Sequence, residues 1–135
     1  MAQQGKIDQG KYAREWGKIA EDIATEFLTR KGYPILERNW SPAGGHKEID
    51  IISQQDNYII FIEVKARNGR YLSPLDALTP QKLNNIYRCA ESYLKMMPGQ
   101  HWRYRFDIIT IEGNPNDYSL NHIEDAFLGP LKSYR

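Results

Sequence analysis

The sequence predicts a single α/β domain with the element order helix, three strands, helix, strand, strand. Three observations carry that expectation. Apolar residues recur at helical spacing over 12–31 and again between Pro80 and Pro98, β-branched runs fill the stretch from 35 to 65, and an alternating segment follows at 101–112. A chain of 135 residues suits one domain with one modest core, and 41% hydrophobic with 26% charged residues is a globular balance rather than a disordered one.

Residues 1–11 read as a flexible lead. Over 12–31, Trp16, Ile19, Ala20, Ile23, Ala24, Phe27 and Leu28 fall on one stripe, and Gly32 ends the helix. At about 100° per residue Glu21 lies at the border of that stripe, near Leu28, able to lean over an adjoining sheet, whereas Asp22 points away. An ordinary boundary glutamate is the alternative. Residues 33–40 form a first strand, with Pro34 at its beginning, where a missing N–H is tolerated. Residues 41–45 are a turn, since they lack phosphate-loop spacing and precede a strand.

The next two strands are the centre of the chain. Polar Gln54, Gln55, Asp56 and Asn57 between two β-branched runs close an antiparallel hairpin with Asp56 and Asn57 at its tip. Gln55 then faces Tyr58, Gln54 faces Ile59, and the ladder carried back sets Asp50 opposite Glu63 and Glu48 opposite Lys65. Opposed residues share a face with Cβ atoms roughly 5 Å apart, so two carboxylates there repel unless a cation sits between them. A divalent metal meets that need, because hard cations such as Mg²⁺ take one or two carboxylates together with waters and substrate phosphate. Lys65, two residues beyond Glu63 on its own face, is placed to hold an attacking water and to offset charge developing on phosphate. A solvated or cross-paired group of charges at a hairpin end is the bland alternative, and spacing alone does not choose between the two.

Residues 66–78 read as a loop long enough to be functional or mobile, with Gly69, Ser73 and Pro74. Thr79 and Pro80 open the second helix as N-cap and first residue; Leu83, Ile86, Tyr87, Ala90, Tyr93 and Leu94 form its core stripe, and Pro98-Gly99 ends it. Lys82 lies in the first turn, where a cation gains nothing from the helix dipole, which points to a phosphate or carboxylate partner unless the side chain simply faces solvent. A strand at 101–112 and a turn at Gly113, Asn114, Pro115 and Asn116 lead to a short strand at 119–123, and 128–135 reads as a tail.

Net charge is only +1, yet residues 65–105 carry eight basic groups against two acidic ones, while 32–64 and 106–135 each come to −3. Charge is segregated along the chain, and Arg67 and Arg70, just past the acids, are candidate contacts to a nucleic-acid backbone. A block in sequence need not be a patch in space. No apolar stretch approaches the roughly 20 residues that span a bilayer, and the polar start lacks a signal-peptide core. Cys89 is the only cysteine, which rules out a disulfide framework within the chain and a cysteine zinc site. A cytoplasmic protein without membrane attachment is the expectation. His46, His101 and His122 are scattered and suggest no histidine chemistry.

The order of elements and the residues on them resemble the PD-(D/E)XK, or restriction-endonuclease-like, superfamily, and within it the YraN-like family of small, mostly uncharacterised bacterial proteins to which endonuclease activity is ascribed. The resemblance spans about residues 17–127. It runs through Gly17, Glu21-Asp22 and Ala24, Gly32-Tyr33, Arg38-Asn39, Glu48-Ile49-Asp50, Glu63-Val64-Lys65-Ala66-Arg67, Lys82, Ala90 with Tyr93-Leu94, and Arg105-Phe106-Asp107. It implies a restriction-endonuclease-like core, a central mixed sheet flanked by helices, and a Mg²⁺- or Mn²⁺-dependent DNA endonuclease akin to the Holliday-junction-resolving members. By position it implies Asp50 and Glu63 as metal-binding acids, Lys65 as catalytic lysine, and Glu21 as a first-helix acid in the catalytic and metal set. Lys82, with Arg67 and Arg70, is assigned to nucleic-acid binding.

Two departures stand out: Ala20 precedes Glu21 and Lys47 precedes Glu48, where the family has glycine. Neither removes a ligand. A nucleic-acid-binding module with weak or no turnover is the competing reading, and an α/β domain whose acids are a surface ion network is a third. A homodimer stays open beside a monomer.

Overall fold

Register, more than composition, arranges the β-rich middle of the chain. The structure, a computed structural model, describes residues 2–43, 45, 48–67, 78–99 and 101–127. Five strands form one mixed sheet in the order β1-β2-β3-β4-β5. β1 (Ile35–Trp40), β2 (Ile49–Gln55) and β3 (Tyr58–Arg67) make an antiparallel meander. α2 (Pro80–Met96) crosses over, so that β4 (Arg103–Asn114) lies parallel to β3, and β5 (Asp117–Ile123) returns antiparallel to β4. α1 (Ala2–Arg30) covers one face of the sheet and α2 the other. This is the expected α/β order, consistent with a restriction-endonuclease-like core.

The two faces share the strands between them. Ile52, Ile59, Phe61, Phe106 and Ile108 point to α2, while Ile51, Ile60, Ile62, Ile109 and Ile111 point to α1. β3 and β4 are therefore buried on both sides, which is why β3 reads as a near-continuous apolar run and why β4, an alternating segment in the sequence, is buried continuously from Phe106 to Ile111. Each such isoleucine contributes about 1.5–3 kcal/mol of burial. On the α1 side Ala20 and Ala24 are fully buried and let the helix backbone lie close to the sheet between Trp16 and Leu28. Ile19, counted with the stripe, is exposed.

The turns explain the boundaries. Asp56 adopts φ 54°, a left-handed conformation that Asp tolerates, and the hairpin closes with Gln55 opposite Tyr58 and Gln54 opposite Ile59, as expected. Pro34 stays outside β1, its carbonyl accepting Ser53 Oγ at 2.9 Å and Gln54 N at 3.3 Å. Gly113 turns β4 toward β5 at φ 122°, where a Cβ would lie 2.2 Å from the Asp117 carbonyl, so only glycine fits.

One boundary corrects the sequence reading. α1 starts at Ala2 rather than near residue 12, so residues 2–11 are helical and not an irregular lead. That segment holds no proline and is mostly Ala, Gln and Lys; Gly5 and Gly10 each cost about 1 kcal/mol relative to alanine without breaking the helix. The loop expected at 66–78 begins later, because β3 continues through Arg67, and its stretch 68–77 lies outside the described residues, as does the tail at 128–135. Among the described residues no helix is long and apolar enough to cross a membrane.

Candidate functional site

The C-terminal end of β3, the first residues of β2 and the N-terminus of α2 meet over one edge of the sheet. The paired ladder of β2 and β3 runs to Ile51 opposite Ile62, and one step further Asp50 adjoins Glu63. Asp50 Oδ2 accepts the Val64 N–H at 2.9 Å, so a side chain makes a bond of the kind the ladder would otherwise supply. The two carboxyl groups are within hydrogen-bonding reach of each other. The inferred juxtaposition of Asp50 and Glu63 is present. Glu48, expected opposite Lys65, is exposed and precedes the first residue of β2.

Glu63 is only 3% exposed, on a strand otherwise buried in isoleucine. Burial, and then the Asp50 charge, push its pKa up to about 7. Burial also raises Asp50, against the pull of the Val64 N–H and of the Lys82 and Lys65 ammonium groups. Two carboxylates this close hold a proton, or another cation, more readily than either would alone.

Two lysines answer that charge. Lys82 Nζ stands 3.0 Å from Glu63 Oε2, a charge contact, and Oε2 is buried without an aligned hydrogen bond. Lys65 lies beside Lys82 within hydrogen-bonding reach; burial, and then that neighbour, lower its pKa. In Lys82 burial works downward too, but the Glu63 carboxylate and the contact with Lys65 leave its pKa raised. Lys82, assigned from the sequence to nucleic-acid binding, thus has a carboxylate partner inside the site, one of the two partners its place in the first turn suggested. Thr79 fixes that turn by accepting the Lys82 N–H at 3.2 Å.

In front of these groups opens a cleft of about 440 Å³ lined by Glu48, Asp50, Glu63, Thr79, Gln81, Lys82, Asn85 and Ile86. A neighbouring cleft of about 550 Å³ holds Lys18, Glu21, Asp22, Arg38, Asn39 and again Glu48. Glu48 is the wall common to both. Glu21 belongs to this second cleft, where Arg38 Nη2 lies 3.8 Å from its Oε1 and 2.8 Å from Asp22 Oδ1, and Asn39 hydrogen-bonds the Glu21 side chain. As its place on the helix requires, the Glu21 side chain is 21% exposed against 69% for Asp22. Burial, and then Asp50, raise the Glu21 pKa.

Glu21 is near enough to feel Asp50, yet among the described residues no three His, Cys, Asp or Glu side chains converge as a group to hold a metal. The resident pair is Asp50 with Glu63, and Arg38 with Asn39 holds Glu21 at the adjoining cleft. The pair fits a hard divalent cation by its oxygen donors and by the orphaned Oε2, since Mg²⁺ needs only one or two carboxylates when substrate and water complete its shell.

Arg67 lies at the last residue of β3, half-buried, its carbonyl accepting the Trp16 indole N–H at 3.4 Å. Arg70 and Lys47 lie outside the described residues. Asp107 is elsewhere altogether, on the opposite sheet face from Glu63. There Arg105 binds both its oxygens at 2.9 and 3.0 Å, His122 Nε2 lies 2.8 Å away, and the Asp125 N–H donates at 2.9 Å. This buried network joins β4 to β5 and the segment after it. It was foreshadowed by a single signal, an acid on the same strand face as Ile109 and Ile111, which must find partners to be buried. Thr79, Gln81 and Asn85 carried no comparable signal, because only helix packing brings them to the acids.

Comparison with known proteins adds a family. The profile of the uncharacterised protein family UPF0102 matches residues 20–111. A UPF0102 protein of Phocaeicola vulgatus is 41% identical over 118 residues, covering 87% of this chain and 95% of its own. Another, from Syntrophomonas wolfei, is 39% identical over 115 residues, covering 84% and 98%. One from Chloroherpeton thalassium is 38% identical over 121 residues, covering 83% and 92%. The match takes in Glu21, Asp50, Glu63, Lys65 and Lys82 together, over most of the length of each partner, and on that ground the chain belongs to the uncharacterised protein family UPF0102, the YraN-like family.

Proposed function

We propose that the protein is a divalent-metal-dependent phosphodiesterase acting on DNA, within the PD-(D/E)XK superfamily. The observation that carries this reading is the buried Glu63 adjoined by the half-buried Asp50, with Glu63 Oε2 lacking an aligned hydrogen bond and Lys65 beside it. Burying one carboxylate against another is costly, and stability alone does not account for such an arrangement at the mouth of a cleft. Asp50 and Glu63 would hold Mg²⁺ or Mn²⁺, which supplies charge neutralisation at a phosphate and a more acidic bound water. Lys65 is the group placed to orient the attacking water and to meet charge on the phosphate oxygens. Val64 N–H fixes Asp50, and the Lys82 ammonium balances Glu63.

One observation favours the second reading, a DNA-binding module that does not turn over. Lys82 already neutralises Glu63, so the acids have a counter-charge without metal. Incubating the protein with plasmid and branched DNA, with Mg²⁺, Mn²⁺ or EDTA, separates the two. Metal-dependent nicking that disappears in Asp50→Asn and Glu63→Gln supports the enzyme. DNA binding without nicking under every condition supports the module.

A further inference from the structure

We propose that Lys82 is the resident counter-ion of the Asp50–Glu63 pair, filling in the metal-free protein the place a divalent cation takes, and that loading the site requires its ammonium to leave Glu63. The inference rests on the metal-dependent reading above and concerns what this chain does before a metal arrives.

Three features lead there. Glu63 is 3% exposed and largely withdrawn from water, so in the folded protein it needs a cation or a proton. Lys82 supplies the cation, with Nζ 3.0 Å from Oε2, yet the oxygen remains without an aligned hydrogen bond. A single ammonium that neutralises the charge is a place-holder that a harder, doubly charged ion can displace. Finally, Lys82 is built to move. Its backbone is held by the Thr79 cap, its four-carbon stem has rotatable bonds throughout, and its side chain is 37% exposed and lines the 440 Å³ cleft.

Its position also speaks against a purely stabilising role. A cation in the first turn of a helix faces the positive end of the dipole, and no acidic residue occupies that turn to compensate. What keeps Lys82 inward is the acid pair. Lys65 lies beside it, and Lys82, once released, is the ammonium that lines the cleft where a substrate phosphate would lie. One lysine thereby serves the empty site as counter-ion and the loaded site as a phosphate contact.

The test measures Mn²⁺ affinity of the full chain, from the decrease of the free-ion EPR signal, alongside the melting temperature in EDTA. Lys82→Met keeps the length and removes the charge; it should bind Mn²⁺ about tenfold more tightly, or better, while melting lower in EDTA, as expected when a charge-assisted interaction is removed. Lys82→Arg keeps the charge and guards against a folding failure in the first variant; it should bind Mn²⁺ no more tightly than wild type and melt near it in EDTA. Equal affinity in all three proteins, or tighter binding by Lys82→Arg, overturns the counter-ion role and leaves the metal reading intact. No Mn²⁺ binding by any of the three overturns both.

Discussion

Asp50 Oδ2 accepts the Val64 N–H at 2.9 Å, which ties the acid of β2 to the strand that carries Glu63. The sheet itself therefore holds two carboxylates together, and Asp50 cannot swing away without giving up that strand-to-strand bond. That relationship sets the first prediction.

Asp50→Asn should keep the bond to Val64 through its amide oxygen and offer its NH₂ group to Glu63. In EDTA the variant should gain about 1 kcal/mol, roughly 4 °C in Tm for a chain of this size. Wild type should gain about 1.4 kcal/mol for each tenfold excess of Mg²⁺ or Mn²⁺ over its Kd, and the variant nothing. Thermal scans with EDTA and with rising metal read both effects. A variant less stable in EDTA, beside a wild type indifferent to metal, would refute a metal site at this pair.

Lys65→Ala should lower cleavage by about 100-fold or more while changing DNA affinity by less than about threefold, because a water-orienting group acts mainly in the transition state. Glu21→Gln should cost less than Asp50→Asn, since Arg38 and Asn39 hold Glu21 at the adjoining cleft. Single-turnover rates against binding constants make the comparison. Equal losses at Glu21 and Asp50 would put Glu21 in the metal set.

If the basic stretch after the acids faces DNA, affinity should fall steeply with salt. Replacing Arg67 and Arg70 with Gln should flatten the plot of log K against log salt by about 0.9 for each phosphate that is no longer neutralised. An unchanged slope removes both arginines from the interface.

Asp107 gives a pH prediction unconnected with catalysis. Burial would raise its pKa, but His122, Arg105 and the Asp125 N–H outweigh burial and hold it below the ordinary value of 3.8. Because the folded value is the lower one, the stabilisation is present above about pH 3.8 and is lost as pH falls through the folded pKa. Asp107→Asn should cost about 3 kcal/mol at pH 7, leaving Arg105 poorly compensated, and should flatten the acid limb of stability. Urea midpoints from pH 7 down to pH 2 would show it.

Much of the site was legible before any fold was known, for a local reason. The turn at Asp56 and Asn57 sets the register of β2 and β3, and counting residues from it brings Asp50 to Glu63 without any knowledge of the remaining chain. The N-cap at Thr79 and the stripe of α2 were local too, and so was the place of Glu21 on its helix. Element order, hairpin and acid pair thus follow from residues that are near neighbours along the chain. Their surroundings came only with packing. The seating of α2 across the sheet brought Lys82 onto Glu63, and Arg38 with Asn39 drew Glu21 into a second cleft. The meeting of β4, β5 and α1 turned Asp107 into a buried structural acid. Those contacts join residues distant in sequence, and their partners depend on the angles at which helices and sheet pack, which no local spacing encodes.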